Sequence, residues 1–95
     1  MGYLGLYHKI AFMKKSVWQQ KYQLLSKELK SLRVQSGLTQ AQLSEKLSKP
    51  QSYVSKYESG ERYLDFIEVL AICDALSVNP NDLISKMGFF RYDAS

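Results

Sequence analysis

Between residues 51 and 59 the chain reads QSYVSKYES, and its polar side chains are not scattered at random. At about 100° per residue on a helix, Ser52, Ser55, Lys56 and Ser59 fall on one side, with Gln51 projecting from the first turn. Val54 and Tyr57, three apart, fall on the other side as the apolar neighbours a core would take. The outward side is therefore amide, hydroxyl and one ammonium. A face that is merely solvated more often carries several Glu and Lys residues, whereas Gln, Ser and Lys are donors and acceptors suited to base edges and phosphate oxygens in a major groove.

Such a face needs a partner element to hold it at a fixed angle, and the residues just upstream supply one. Thr39 is a good N-cap for a short helix beginning at Gln40, because its hydroxyl can accept a bond from a first-turn amide. Leu43 and Leu47 then share one face. The run Ser48-Lys49-Pro50 breaks that helix, since proline cannot continue the hydrogen-bond ladder and pushes its predecessor towards extended geometry. Proline is at home at the start of a new helix, predicted over 51–59, and Gly60 supplies the left-handed residue that stops it. Two short helices joined by a tight turn make a DNA-reading device.

Leu38-Thr39-Gln40, followed by Leu43, Leu47, Gln51-Ser52, Val54-Ser55-Lys56, Glu58 and Gly60, resembles the lambda-repressor and Cro type (XRE-type) helix-turn-helix family. The resemblance runs from about Leu25 to Met87. It implies an all-α fold, a compact five-helix domain that binds operator DNA as a homodimer. By the same resemblance Gln51 makes a bidentate adenine contact, while Ser52, Ser55 and Lys56 read neighbouring bases or phosphates. Gln40, at a helix N-terminus where amides and dipole attract anions, binds a phosphate. Ser59, Arg62 and Tyr63 hold the backbone on the other side; the alternative for Arg62 and Tyr63 is a surface loop packing on helix four. Arg33, on the preceding helix, and Glu58, on the inner half of the recognition helix, correspond to a largely buried ion pair in which bidentate geometry favours arginine.

Two positions depart from the family pattern. Ser48 stands where the turn commonly has glycine, and Pro50 replaces the usual Ser or Thr that caps the recognition helix. Serine enters the left-handed region at some cost, and proline moves the cap to a neighbour or leaves it to water.

Downstream, Asp65 and Glu68 form a predicted capping box for a helix over 66–76, with Ile67, Leu70 and Cys73 on its apolar side. Asn79 caps a last short helix with Pro80 at its first position and Gly88 at its end. Phe89, Phe90 and Tyr92 follow in an aromatic tail over 89–95, which either packs back on the monomer or fills a dimer interface. Upstream, Val17, Trp18, Tyr22, Leu25, Leu29 and Leu32 keep helical spacing, so helix one is expected to start near Ser16, with Trp18 packed. Residues 1–21 lie outside the helix-turn-helix domain at 22–88. They read as an arm, a tail or the early part of helix one, and their apolar run is too short and interrupted to span a membrane or export the chain. Residues 1–12 also fit an upstream start-site choice ahead of Met13-Lys14-Lys15. Lys9, Lys14 and Lys15 could follow DNA as such arms do, or the segment could bind a protein.

Composition narrows the function classes. Residues 1–64 hold 11 basic against 4 acidic side chains, and residues 65–95 hold 2 against 5. The positive charge thus sits with the reading helices and steers towards a polyanion. Ninety-five residues leave no room in this chain for a second, ligand-sensing domain. His8 and Cys73, each the only one of its type, cannot form a metal cluster, and no phosphate loop or catalytic carboxylate pair occurs, so neither enzyme activity nor a cofactor is expected. A lone cysteine suits a reducing cytoplasm, bacterial or phage-encoded. The expected function is a sequence-specific transcriptional regulator, a repressor acting as a homodimer on double-stranded DNA. The alternative is an interaction module or antitoxin that holds a protein partner through residues 1–21.

Overall fold

The computed structural model describes residues 2–89, with side chains from 17 to 89. The expectations for the side chains of His8, Lys9, Lys14 and Lys15, and for Phe90 and Tyr92, lie outside the described residues. Among these residues there are five helices and no strand: α1 (Gly2–Gln35), α2 (Gln40–Lys46), α3 (Ser52–Glu58), α4 (Phe66–Ala75) and α5 (Pro80–Lys86). None is long and apolar enough to cross a membrane.

α1 begins well before the expected Ser16. The reason is local: no proline occurs between Gly2 and Gln35, and the two glycines fall in the first five residues, so nothing upstream of Ser16 stops a helix. Its other end is sharply closed. Gly37 turns left-handed at φ 75°, and the amides of Gly37 and Leu38 return to the carbonyls of Val34 and Arg33.

The core is a single cluster at the centre of the five helices. Leu29 from α1, Leu43 from α2, Val54 and Tyr57 from α3, Ile72 and Cys73 from α4, and Leu83 from α5 are all buried. Burying one such side chain stabilises the fold by roughly 1.5–3 kcal/mol. Two apolar expectations fail at the edges of this cluster. Ile67 is 70% exposed, and Val69, Ile72, Cys73 and Leu76 form the inner face of α4 instead. A three-residue repeat falls about 60° behind the helical period at each step, so a stripe drawn back from Cys73 through Leu70 reaches solvent at Ile67. Trp18 and Val17 are also exposed, because the core packs on α1 only from about Leu25 onwards, and what reaches the helix before that point is the end of the fold at residues 87–89, beside Lys21.

Local signals set the remaining ends. Asp65 and Glu68 form a reciprocal capping box, and Asn79 caps α5 with Pro80 in its first turn. α2 and α4 both terminate in a left-handed serine, Ser48 at φ 55° and Ser77 at φ 56°. A side chain pays a steric penalty there that glycine does not. Ser48→Gly is expected to raise stability by about 0.5–1 kcal/mol, read from urea denaturation midpoints; an unchanged or lower midpoint would show that the turn is not strained.

Candidate nucleic-acid interface

Thr39 opens the site. Its hydroxyl accepts from the Gln42 amide while the Gln42 side chain accepts from the Thr39 amide, a closed capping box that fixes the first turn of α2. α2 then crosses α3, and the crossing is held by Ser44, a fully buried serine. Its hydroxyl donates to the Gln51 carbonyl and accepts from the Val54 amide, each at 3.2 Å. The Tyr53 amide returns to the Pro50 carbonyl, but the side-chain cap that Pro50 cannot provide does not come from a sequence neighbour. α2 provides it, through space.

This arrangement leaves the Gln51 side chain unused by the helix it precedes. Gln51 has helical backbone angles, makes no side-chain cap bond and is exposed. Ser52, Lys56 and Ser59 are exposed beside it and Ser55 is half-buried, whereas Tyr53, Val54 and Tyr57 face inward. Ser55 donates to the Ser52 carbonyl, which leaves its oxygen as an acceptor, whereas the Ser59 hydroxyl is shared between the Lys56 carbonyl and Glu61 Oε2 and accepts from the Glu61 amide. Gln40, Gln51, Ser52 and Ser55 line one shallow groove with Thr39 and Ala41, between the first turns of the two helices. Four residues picked out from the sequence are thereby brought together.

Arg33 and Glu58 meet behind that groove. Arg33 Nε donates to Glu58 Oε2 at 2.7 Å, Nη2 to Oε1 at 3.0 Å and Nη1 to the Leu38 carbonyl at 2.7 Å. The side chains are 10% and 2% exposed. The pairing raises the Arg33 pKa still further, chiefly through the Glu58 hydrogen bonds against the cost of burial. Gln40 joins them, its Nε2 donating to Glu58 Oε1 at 2.9 Å. One carboxylate thus ties the end of α1, the start of α2 and the end of α3.

Arg62 and Tyr63 are placed differently. Arg62 Nη2 lies 2.8 Å from Glu68 Oε2, and its guanidinium sits 5.0 Å from the Tyr53 ring centre. This is the loop packing on α4, with the side chain still 41% exposed. Tyr63 stacks face to face on Tyr22 of α1, ring centres 4.1 Å apart. Sequence reasoning missed Ser44 and Tyr53, and took Tyr22 only as one of the helically spaced positions of helix one. Tyr53 carries a signal in retrospect: its hydroxyl donates to Glu68 Oε2 at 2.7 Å, and burial followed by that bond pushes its pKa up to about 12.

Glu68 collects the Asp65 amide, the Tyr53 hydroxyl and Arg62, and these contacts, the Asp65 amide foremost, hold its carboxyl below the usual carboxylate range. A carboxyl depressed in the folded state contributes stability above its unfolded pKa of about 4.3 and loses it as pH falls through the folded value. Glu68→Gln is accordingly expected to flatten the acid limb of a stability profile measured by urea midpoints below about pH 4.3. For the inner pair, Glu58→Ala strands Arg33 and is expected to cost roughly 3–5 kcal/mol. Arg33→Met with Glu58→Leu should cost clearly less by thermal or urea denaturation; equal losses would mean that the pair is not acting as a buried charge couple.

Among the described residues no group of acidic, histidine or cysteine side chains could hold a metal ion. A helix-turn-helix family model matches residues 29–83. Among solved structures, an XRE-family like protein from Pseudomonas syringae pv. tomato str. DC3000 is 39% identical, with a TM-score of 0.75 over 79% of this chain and 92% of that one. No curated protein matches the chain. The family model covers more than half of the sequence, including α2, α3 and the buried pair. The chain belongs to the XRE-type helix-turn-helix family of DNA-binding transcription regulators.

Proposed function

We propose that the chain is a sequence-specific repressor that binds a two-fold operator in double-stranded DNA as a homodimer. The observation that carries this reading is the unoccupied Gln51 side chain at the tip of α3, beside Gln40 in a groove of amides and hydroxyls. An amide that caps nothing is free to make the paired contact with adenine N6 and N7 in the major groove. Ser52, Ser55 and Lys56 are the proposed readers of neighbouring bases. Gln40 and Ser59 would take phosphates. Gln40 does so from a side chain already oriented by Glu58. Arg62 and Tyr63 keep a secondary place in this set, since Glu68 neutralises much of the arginine and Tyr22 covers one face of the tyrosine.

Two recognition helices about 34 Å apart would enter successive major grooves on one face of the duplex, and repression follows from occupancy where the site overlaps a promoter. Such a role places the protein in the cytoplasm. One observation favours the second reading, a protein-interaction module or antitoxin: Val17 and Trp18 are exposed, and Trp18 lines an open, mostly apolar groove with Leu25, Met87 and Phe89.

Selection of sites from a random duplex pool at physiological salt tests the proposal. The expected product is a two-fold motif, with Gln51→Ala losing roughly 1–3 kcal/mol of discrimination at one base pair of each half-site. Lys56→Ala, should it bind phosphate as well as base, lowers the salt slope by about one. Equal loss for Gln51→Ala on cognate and random DNA would reject its role, and no motif from a folded wild-type protein would reject the repressor.

A further inference from the structure

α1 presents two parallel rows of side chains where it passes α3. Tyr22, Ser26 and Arg33 form the inner row: Tyr22 stacks on Tyr63, Ser26 Oγ donates to the Tyr57 carbonyl at 2.8 Å, and Arg33 binds Glu58. Gln19, Gln23, Lys27 and Lys30 form the outer row, on the same face at helical spacing. Together with Ser59 and Gly60 at the far end of α3, this outer row walls an open groove.

The charge in that groove is one-sided. Its only carboxylate, Glu58, is already neutralised by Arg33 and bonded by Gln40, whereas neither Lys27 nor Lys30 has a carboxylate partner among the described residues. Glu61 lies beside the rim and accepts from Ser59 Oγ. What remains facing solvent is two ammonium groups flanked by the neutral amides of Gln19 and Gln23. The two ammonium groups match phosphate oxygens, which ask only for charge and donors, and the amides beside them add further donors. Ser59 belongs both to this groove and to the outward face of α3, so the two surfaces are continuous. The row from Gln19 to Lys30 extends about 16 Å along α1 at 1.5 Å per residue.

We infer that the α1 groove is a second phosphate-binding track, in which Lys27 and Lys30, with Gln19 and Gln23, hold the sugar-phosphate backbone of the duplex that α3 reads. The inference rests on the DNA-binding reading and extends it to a helix outside the helix-turn-helix pair. It assigns α1 to affinity and register, with no part in base choice.

The test is equilibrium binding of the full chain, by fluorescence anisotropy across a salt series, to a selected operator duplex and to a random-sequence duplex of equal length. Lys27→Ala with Lys30→Ala should lower the slope of log K against log salt by about 1.8 on both duplexes, at roughly 0.9 per phosphate contact, and leave the operator-to-random ratio unchanged. Arginine at both positions should retain the wild-type slope. Lys86→Ala, which removes a charge from α5, should leave the slope unaltered. A double-alanine slope equal to wild type would overturn the groove while leaving the recognition helix intact. Wild-type protein that binds neither duplex would overturn the DNA reading and this track with it.

Discussion

A guanidinium keeps its charge when it is buried, and Arg33 is 8% exposed. The fold around it answers that constraint with partners drawn from three places: both oxygens of Glu58, the Leu38 carbonyl and, across the carboxylate, the Gln40 amide. Helix α1 ends at that point, α2 begins beside it and α3 supplies the counter-charge. An ion pair of this kind adds little net stability over a well-packed apolar pair. Its contribution here is geometric, because fork-to-fork bonding admits one relative placement of the two helices. The side chains of the candidate interface inherit their positions from it.

Ser44 completes the same task from the other side of α3. Its hydroxyl bridges the Gln51 carbonyl and the Val54 amide, so α2 grips the first turn of the recognition helix rather than leaving that turn to cap itself. Proline at position 50 is compatible with the fold for this reason. The left-handed Ser48 just before it bends the chain tightly enough for Ser44 to reach across. A strained turn and a buried hydroxyl are thus coupled: one brings the helix into range, and the other satisfies the donor that proline leaves without a local partner.

Much of this was legible in the sequence, and what was legible was local. Thr39, Asp65 and Asn79 announce helix starts because a cap acts over three residues. Gly37, Gly60 and Gly88, all at positive φ, mark helix ends for an equally local reason. Arg33 and Glu58 could be named through the family resemblance, although they are 25 positions apart. The features that escaped are those made by chain crossings. Ser44 looks like one more polar helix residue until α3 lies on it, and Tyr53 looks like one more apolar position until its hydroxyl reaches Glu68, whereas for Arg62 the loop packing on helix four is one of two readings that the sequence leaves open. Trp18 and Ile67 show the converse failure, where apolar character at helical spacing was read as burial although Trp18 lies beyond the core and the stripe through Ile67 drifts off the inner face of α4.

The inner row on α1 has a mechanical consequence. Tyr22, Ser26 and Arg33 attach one continuous helix to the rest of the domain at three heights, all within a narrow arc of its circumference. Three such pins forbid the helix to roll about its own axis. A straight helix passes that constraint along its length, so anything joined upstream of Tyr22 is presented at a set azimuth relative to the recognition helix. One residue inserted just upstream of Tyr22 would swing it by about 100°, and two would turn it by about 200°, almost to the opposite side of α1.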